Sequence, residues 1–265
     1  MMEALLQDQH VLITRGGTRG EKLSKQIQSI GGTPHIIPLI AFHAHGDKHA
    51  QTYIHQLFDY DWIVFTSTNG VNHFFDHLGH QVDPEKLRNS PIQFAVVGEK
   101  TKQALESYGI KSTFMPNIYT AEDFSKQYFA KQLQATRVLI AKGNLASETI
   151  ANAFRSERVD VDEWIVYDTY LPAEAEEQLI SLLSKDKLGI ATFTSPSSFR
   201  HFEQIVHKHQ LQVKTQDLSI ATIGTVTKKA VEAAGYTVQI CPKTFTFDAM
   251  FDEICNFYRN RKEGK

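Results

Sequence analysis

Four segments of this chain occur twice, in one order and at nearly one spacing. Val11-Leu-Ile-Thr-Arg-Gly16 returns as Val138-Leu-Ile-Ala-Lys-Gly143, and Phe65-Thr-Ser-Thr-Asn-Gly70 as Phe193-Thr-Ser-Pro-Ser-Ser198. Ala95-Val-Val-Gly98-Glu-Lys-Thr101 returns as Ala221-Thr-Ile-Gly224-Thr-Val-Thr227, and Tyr119-Thr-Ala-Glu-Asp-Phe124 as Phe245-Thr-Phe-Asp-Ala-Met250. The offsets run from 126 to 128 residues (224 − 98 and 193 − 65). A repeat of that length describes a duplicated domain, because solenoid repeats are several-fold shorter. The chain therefore reads as two diverged copies of one α/β unit, and 265 residues fit two domains.

Each repeated segment marks a strand that hands over to a helix. Trp62 to Phe65 and Gly189 to Phe193 are short apolar runs. Val71, Phe74, Phe75 and Leu78 after the first, and Phe199, Phe202, Ile205 and Val206 after the second, have the spacing of one helix face. Ser and Thr at such a junction cap the helix. The first helical N–H groups lack internal partners and carry the positive end of the helix dipole, so each junction is an anion-binding corner without a charged side chain. Alternation of strand and helix predicts parallel sheets with helices on both faces. Ligands of open α/β sheets sit at the carboxyl ends of the strands, where these corners lie.

Two runs are too long and too apolar for simple loops, Ile36–Phe42 and Val161–Leu171. The earlier one contains Pro38, which suits an edge strand or a linker. If both cross between lobes, they can pair as a two-stranded connector. Strands are also expected at Ser112–Met115 and Thr237–Cys241, and helices at Phe124–Leu133, Ser147–Arg155, Thr227–Ala234 and Phe247–Tyr258. The charged tail Arg259–Lys265 reads as frayed.

Composition excludes several classes. A formal net charge of −2 leaves no basic field for nucleic acid. Cys241 and Cys255 form no CxxC pair and fit a reducing compartment. Met1–His10 has no apolar leader core, and no apolar run is long enough to span a bilayer. A cytoplasmic protein is expected.

Familiar catalytic signatures are missing. The glycines of Arg15–Gly20 are spaced GGxxG, which matches neither a dinucleotide nor a Walker fingerprint; an ordinary turn and an anion site both remain open. His43, His45, His49 and His55 lack partners at metal-ligand spacing and read as solvated loop histidines, as do His201, His207 and His209. No GxSxG elbow is present. Tyr167 and Tyr170 alternate along an extended run, and their plain reading is core or interface. A non-catalytic bilobal anion sensor and a phosphosugar enzyme are the rival classes; for the latter, Glu99 is the one nearby base, and the second copy lacks it.

The ordered set FTS before a helix, VVGEKT, IVYDT, FTSPSS and TIGTVT covers almost the whole chain and resembles the uroporphyrinogen-III synthase family. The resemblance implies two flavodoxin-like parallel-sheet lobes joined by a two-stranded β connector. One lobe would be 1–36 plus 171–265 and the other 41–160, with 37–40 and 161–170 crossing. It implies cyclisation of the linear tetrapyrrole hydroxymethylbilane with inversion of ring D and loss of water, by a monomer needing no metal or organic cofactor. Matching motif positions imply substrate binding by Arg15, Ser67, Gly98, Thr101, Ser195, Ser197, Gly224 and Thr227, and a catalytic Tyr167. Gly16 stands where many relatives carry Pro, a departure that bears on the role of Arg15.

Overall fold

The computed structural model describes residues 4–185 and 187–263. In chain order the elements are β1 (His10–Ile13), α1 (Gly17–Ser29), β2 (Thr33–Ile36), β3 (Ala41–Ala44), α2 (Ala50–His55), β4 (Trp62–Phe65), α3 (Thr68–Leu78), α4 (Pro84–Arg88), β5 (Gln93–Val96), α5 (Glu99–Ser107), α6 (Ala121–Ala130), β6 (Arg137–Gly143), α7 (Thr149–Ser156), β7 (Asp160–Tyr170), α8 (Ala173–Ser184), β8 (Leu188–Phe193), α9 (Pro196–Lys208), β9 (Ser219–Thr222), α10 (Thr225–Ala233) and α11 (Phe247–Glu263).

The chain divides into two compact units, 1–41 with 170–265, and 42–169. The first holds a sheet ordered β2-β1-β8-β9, all parallel, extended by a single parallel bridge from Ala221 to Ile240. The second holds the order β7-β6-β4-β5, again parallel, extended by a bridge from Ala95 to Phe114, with β3 against β7 at the far edge. Matching repeats pairs β1 with β6, β8 with β4 and β9 with β5. The spatial order is thus the same in both sheets, while each is assembled from pieces of both copies. Both faces of each sheet are covered. In the second unit one core gathers Phe65, Phe74, Leu139 and Trp164, and another Val64, Phe114, Tyr128 and Phe154. The first unit has Leu12, Phe193, Phe199 and Phe202 on one face, and Ile13, Ile27, Ile190 and Ile254 on the other.

Several expectations change in detail. Residues 34–42 divide into β2, a break containing Pro38, and β3. Residues 161–170 belong to β7, which pairs with β6 from Asp160 to Tyr167 and has β3 as its other neighbour. The expected strands at 112–115 and 237–241 reduce to one bridge each, because Pro116 and Pro242 follow at once and remove donors. The tail read as frayed continues α11 to Glu263; Gly264 and Lys265 lie outside the described residues, as do Met1 to Glu3 of the amino-terminal stretch. Among the described residues no helix is long and apolar enough to cross a membrane.

Candidate functional site

In the second unit the chain leaves β4 and turns at Ser67, whose extended backbone (φ −155°, ψ 158°) lets its Oγ accept from the Gly70 N–H at 2.9 Å. One orphan donor of α3 is thereby used by its own cap, and the N–H groups of Thr68 and Asn69 remain at the helix start. The Tyr167 hydroxyl lies 3.1 Å from Ser67 Oγ. A bulge brings it there: Lys142 pairs with Ile165, but Gly143 pairs with Tyr167. The extra residue breaks the in–out alternation, so Val166 and Tyr167 are buried in the same core. Gly143 is the residue that makes room, since a Cβ there would lie 2.7 Å from the Tyr167 oxygen. The Tyr167 ring is stacked on His73, with centroids 5.5 Å apart, and meets the edge of Phe42.

In the first unit Ser195 repeats the cap of α9. Its backbone is extended (φ −156°, ψ 155°), and its Oγ accepts from the Ser198 N–H at 3.2 Å. Ser197 Oγ lies 3.1 Å from Ser195 Oγ, and Ser198 Oγ donates to the Ser195 carbonyl at 2.8 Å. These hydroxyls form one local cluster.

Gly98 and Gly224 cap α5 and α10 without a side chain, so no hydroxyl occupies the first N–H groups of either helix. Each glycine is overlaid by an aromatic ring. A Cβ on Gly98 would stand 3.4 Å from Tyr119 Cγ, and one on Gly224 2.9 Å from Phe245 Cδ1. Thr101 and Thr227 occupy the third helical positions and are buried.

Arg15 follows β1. Burial, and then the neighbouring Arg19, lower its pKa from the usual arginine value. Arginine nevertheless stays charged. With no acidic residue in the first turn of α1, this end of the first unit is cationic. Gly16 is confined by Pro38, whose Cγ would stand 2.9 Å from a Cβ at that position.

Within the first unit, Arg15, Ser195, Ser197, Gly224 and Thr227 all follow the carboxyl ends of the parallel strands β1, β8 and β9. Within the second, Ser67, Gly98 and Thr101 follow β4 and β5, and the bulge brings Tyr167 to Ser67. Sequence reasoning misses His73, because its contact is with a strand far along the chain. It also assigns no role to Tyr119 and Phe245, although the repeat contains both.

A family model described as Uroporphyrinogen-III synthase HemD matches residues 21–252. The uroporphyrinogen-III synthase of Chlorobaculum parvum is 28% identical over 237 residues, covering 89% of this chain and 93% of its own length. That of Synechococcus elongatus is 23% identical over 255 residues, covering 94% and 96%. Among solved structures, a mutant uroporphyrinogen III synthase of Thermus thermophilus superposes with a TM-score of 0.73 at 15% identity, covering 95% of this chain and 99% of that one, a likeness of fold. With the family model spanning most of its length, the chain belongs to the uroporphyrinogen-III synthase family.

Proposed function

We propose that this protein converts hydroxymethylbilane to uroporphyrinogen III in tetrapyrrole biosynthesis. The observation that carries the reading is the set of helix-start corners at the carboxyl ends of the strands in both units, within a chain of this family. Each pyrrole of the substrate bears acetate and propionate groups, and open N–H groups at helix starts suit carboxylates. The terminal hydroxyl of the substrate takes up a proton and leaves as water, giving an azafulvene. The substituted α-carbon of ring D attacks that carbon to form a spiro intermediate; its bond to the methylene of ring C then breaks, the methylene rejoins at the other α-carbon of ring D, and loss of the proton there restores the pyrrole and closes the macrocycle with ring D inverted.

Arg15, Ser67, Gly98, Thr101, Ser195, Ser197, Gly224 and Thr227 are read as the binding set, their contribution coming mainly from backbone amides. Tyr167 is read as the group that assists departure of the hydroxyl. Its hydrogen bond to Ser67 supports this, because the bond ties the phenol to a substrate-binding corner. A phenol is a better acid than the alcohols and amides around it, and a general acid typically contributes 10²–10⁴-fold. Pyrrole stabilisation of the azafulvene places the effect here at the low end. We further read the protein as a cytoplasmic monomer that takes a linear tetrapyrrole and no nucleic acid.

Hydroxymethylbilane closes by itself to the uninverted type I isomer, so the type III to type I ratio by chromatography is the test. Type III as the main product is expected; type I as the sole product would overturn the assignment.

A further inference from the structure

Most large apolar side chains of this protein are buried, and Tyr119 and Phe245 stand out among the exceptions. They are 56% and 58% exposed. They occupy the same place in the two copies, 126 residues apart (245 − 119), as are the glycines they cover (224 − 98). In each case one side of the ring rests on the backbone of the glycine that starts a helix, and the rest of the ring is open. Both residues immediately precede the Thr that caps the next helix, Thr120 for α6 and Thr246 for α11. An apolar residue in that position can brace the entering chain. Bracing would be served by any apolar side chain turned inward, and it does not call for an aromatic ring kept more than half in water.

The surroundings define what the open faces suit. Ile118 beside Tyr119 is 57% exposed, and Val226 in the first turn of α10 is 71% exposed, so each corner presents a small apolar surface. Next to it lie the helix N–H groups that no side chain caps. Lys100 adds a cation at the α5 corner, where Glu99 is drawn toward Lys102 at 4.0 Å; α10 has no acid in its first turn. An aromatic face beside an anion cradle matches a flat, electron-rich ring that carries carboxylates on short arms.

We propose that Tyr119 and Phe245 are substrate-positioning residues, each stacking one pyrrole of the linear tetrapyrrole while the amides at the start of α5 or α10 hold that pyrrole's carboxylates. The inference rests on the function proposed above. It assigns the rings to binding and alignment, and leaves proton transfer elsewhere. The corner without a competing acid binds more strongly, so Phe245 contributes more than Tyr119.

The test measures steady-state kinetics with hydroxymethylbilane for Tyr119→Leu and Phe245→Leu, which keep an apolar side chain and remove the ring. Loss of stacking raises KM about two- to tenfold, with the larger rise for Phe245→Leu and a smaller change in kcat. Tyr119→Phe and Phe245→Tyr restore the wild-type KM. Because KM does not depend on how much of a preparation is folded, a partly unfolded variant still gives an answer. A wild-type KM in both Leu variants overturns the proposal. Fluorescence titration with uroporphyrin III, an aromatic octacarboxylate, separates this from a failure of the assigned function. If the wild-type protein yields no type III isomer, the function is wrong, and uroporphyrin binding still decides the rings. Weaker binding by the Leu variants supports them, and equal binding sinks them.

Discussion

The Tyr167 hydroxyl has a structural partner, and its proposed chemical role can be separated from that contact by substitution. Its oxygen meets Ser67 Oγ at 3.1 Å, and Ser67 in turn accepts from Gly70, so Tyr167→Phe removes one link while the cap survives. The stability cost should be about 0.5–1.5 kcal/mol, the value of one neutral hydrogen bond. Turnover should fall about a hundredfold or less, the low end for a general acid, with product binding and the type III product unchanged. Initial rates with isomer analysis check this, and full activity would leave positioning as the only role. Tyr170→Phe is the control and should be nearly silent, since that ring is 39% exposed at the end of β7. A second residue-scale effect concerns pH. His10 Nδ1 and His35 Nε2 are 2.8 Å apart, a contact in which one ring must donate and the other accept. Burial first, then His10 and Lys185, lower the pKa of His35. Folded His35 therefore binds its proton less readily than the unfolded chain does. Its favourable contribution is full above the ordinary imidazole value of about 6.5 and is lost as pH falls below it. Urea unfolding at pH 7.5 and 5 should show a smaller loss of stability in His35→Gln than in wild type; equal losses would remove His35 from the pH response.

At the scale of elements, the caps contribute to stability and, under the proposed function, to binding. Ser195→Ala leaves the Ser198 N–H without its cap and should cost about 0.5–2 kcal/mol, read from the urea midpoint. Substrate affinity should fall tenfold or less, because the backbone amides remain. A loss of several thousandfold with the fold intact would make Ser195 a chemical participant. The main strands and their helices are legible in the sequence because apolar runs end at Ser, Thr or Gly, as at Phe65-Thr-Ser67 and Val96-Val-Gly98. Helix α8 is not legible: Ala173–Ser184 follows Pro172 and carries no repeated motif, and its apolar face, with Leu179, Leu182 and Leu183, is plain only once the sheet is there to cover it. The bulge at Tyr167 is illegible for a related reason. Alternation along a strand gives the side of each residue only while the register holds, and the shift depends on β6. The same limit applies to the exposed rings. The repeat places Tyr119 and Phe245 at matching positions, but their seats on Gly98 and Gly224 need the folded turn.

At the scale of the molecule, the duplication is visible in sequence, and so are the two runs by which the chain leaves one unit and returns. The regrouping of strands by sheet is implied by the family resemblance rather than by apolar periodicity, and the strand orders display it. It makes residues 42–169 a continuous insertion with its own sheet and cores on both faces. Expressed alone, that segment should fold, giving a helix-and-strand circular dichroism spectrum and one cooperative urea transition; a featureless unfolding curve would contradict its independence. The other unit has no such continuity, and this matters during synthesis. Strand β1 is complete at Ile13, whereas its neighbour β8 begins at Leu188, 175 residues later (188 − 13). Translation at about 5–20 residues per second separates the two by roughly 10–35 s. Throughout that interval β1, α1 and β2 leave the ribosome with one edge of the sheet unpaired, while the inserted unit has time to finish folding behind them. The nascent chain is therefore most open to strand-to-strand aggregation over residues 10–36, and it ceases to be so when β8 emerges.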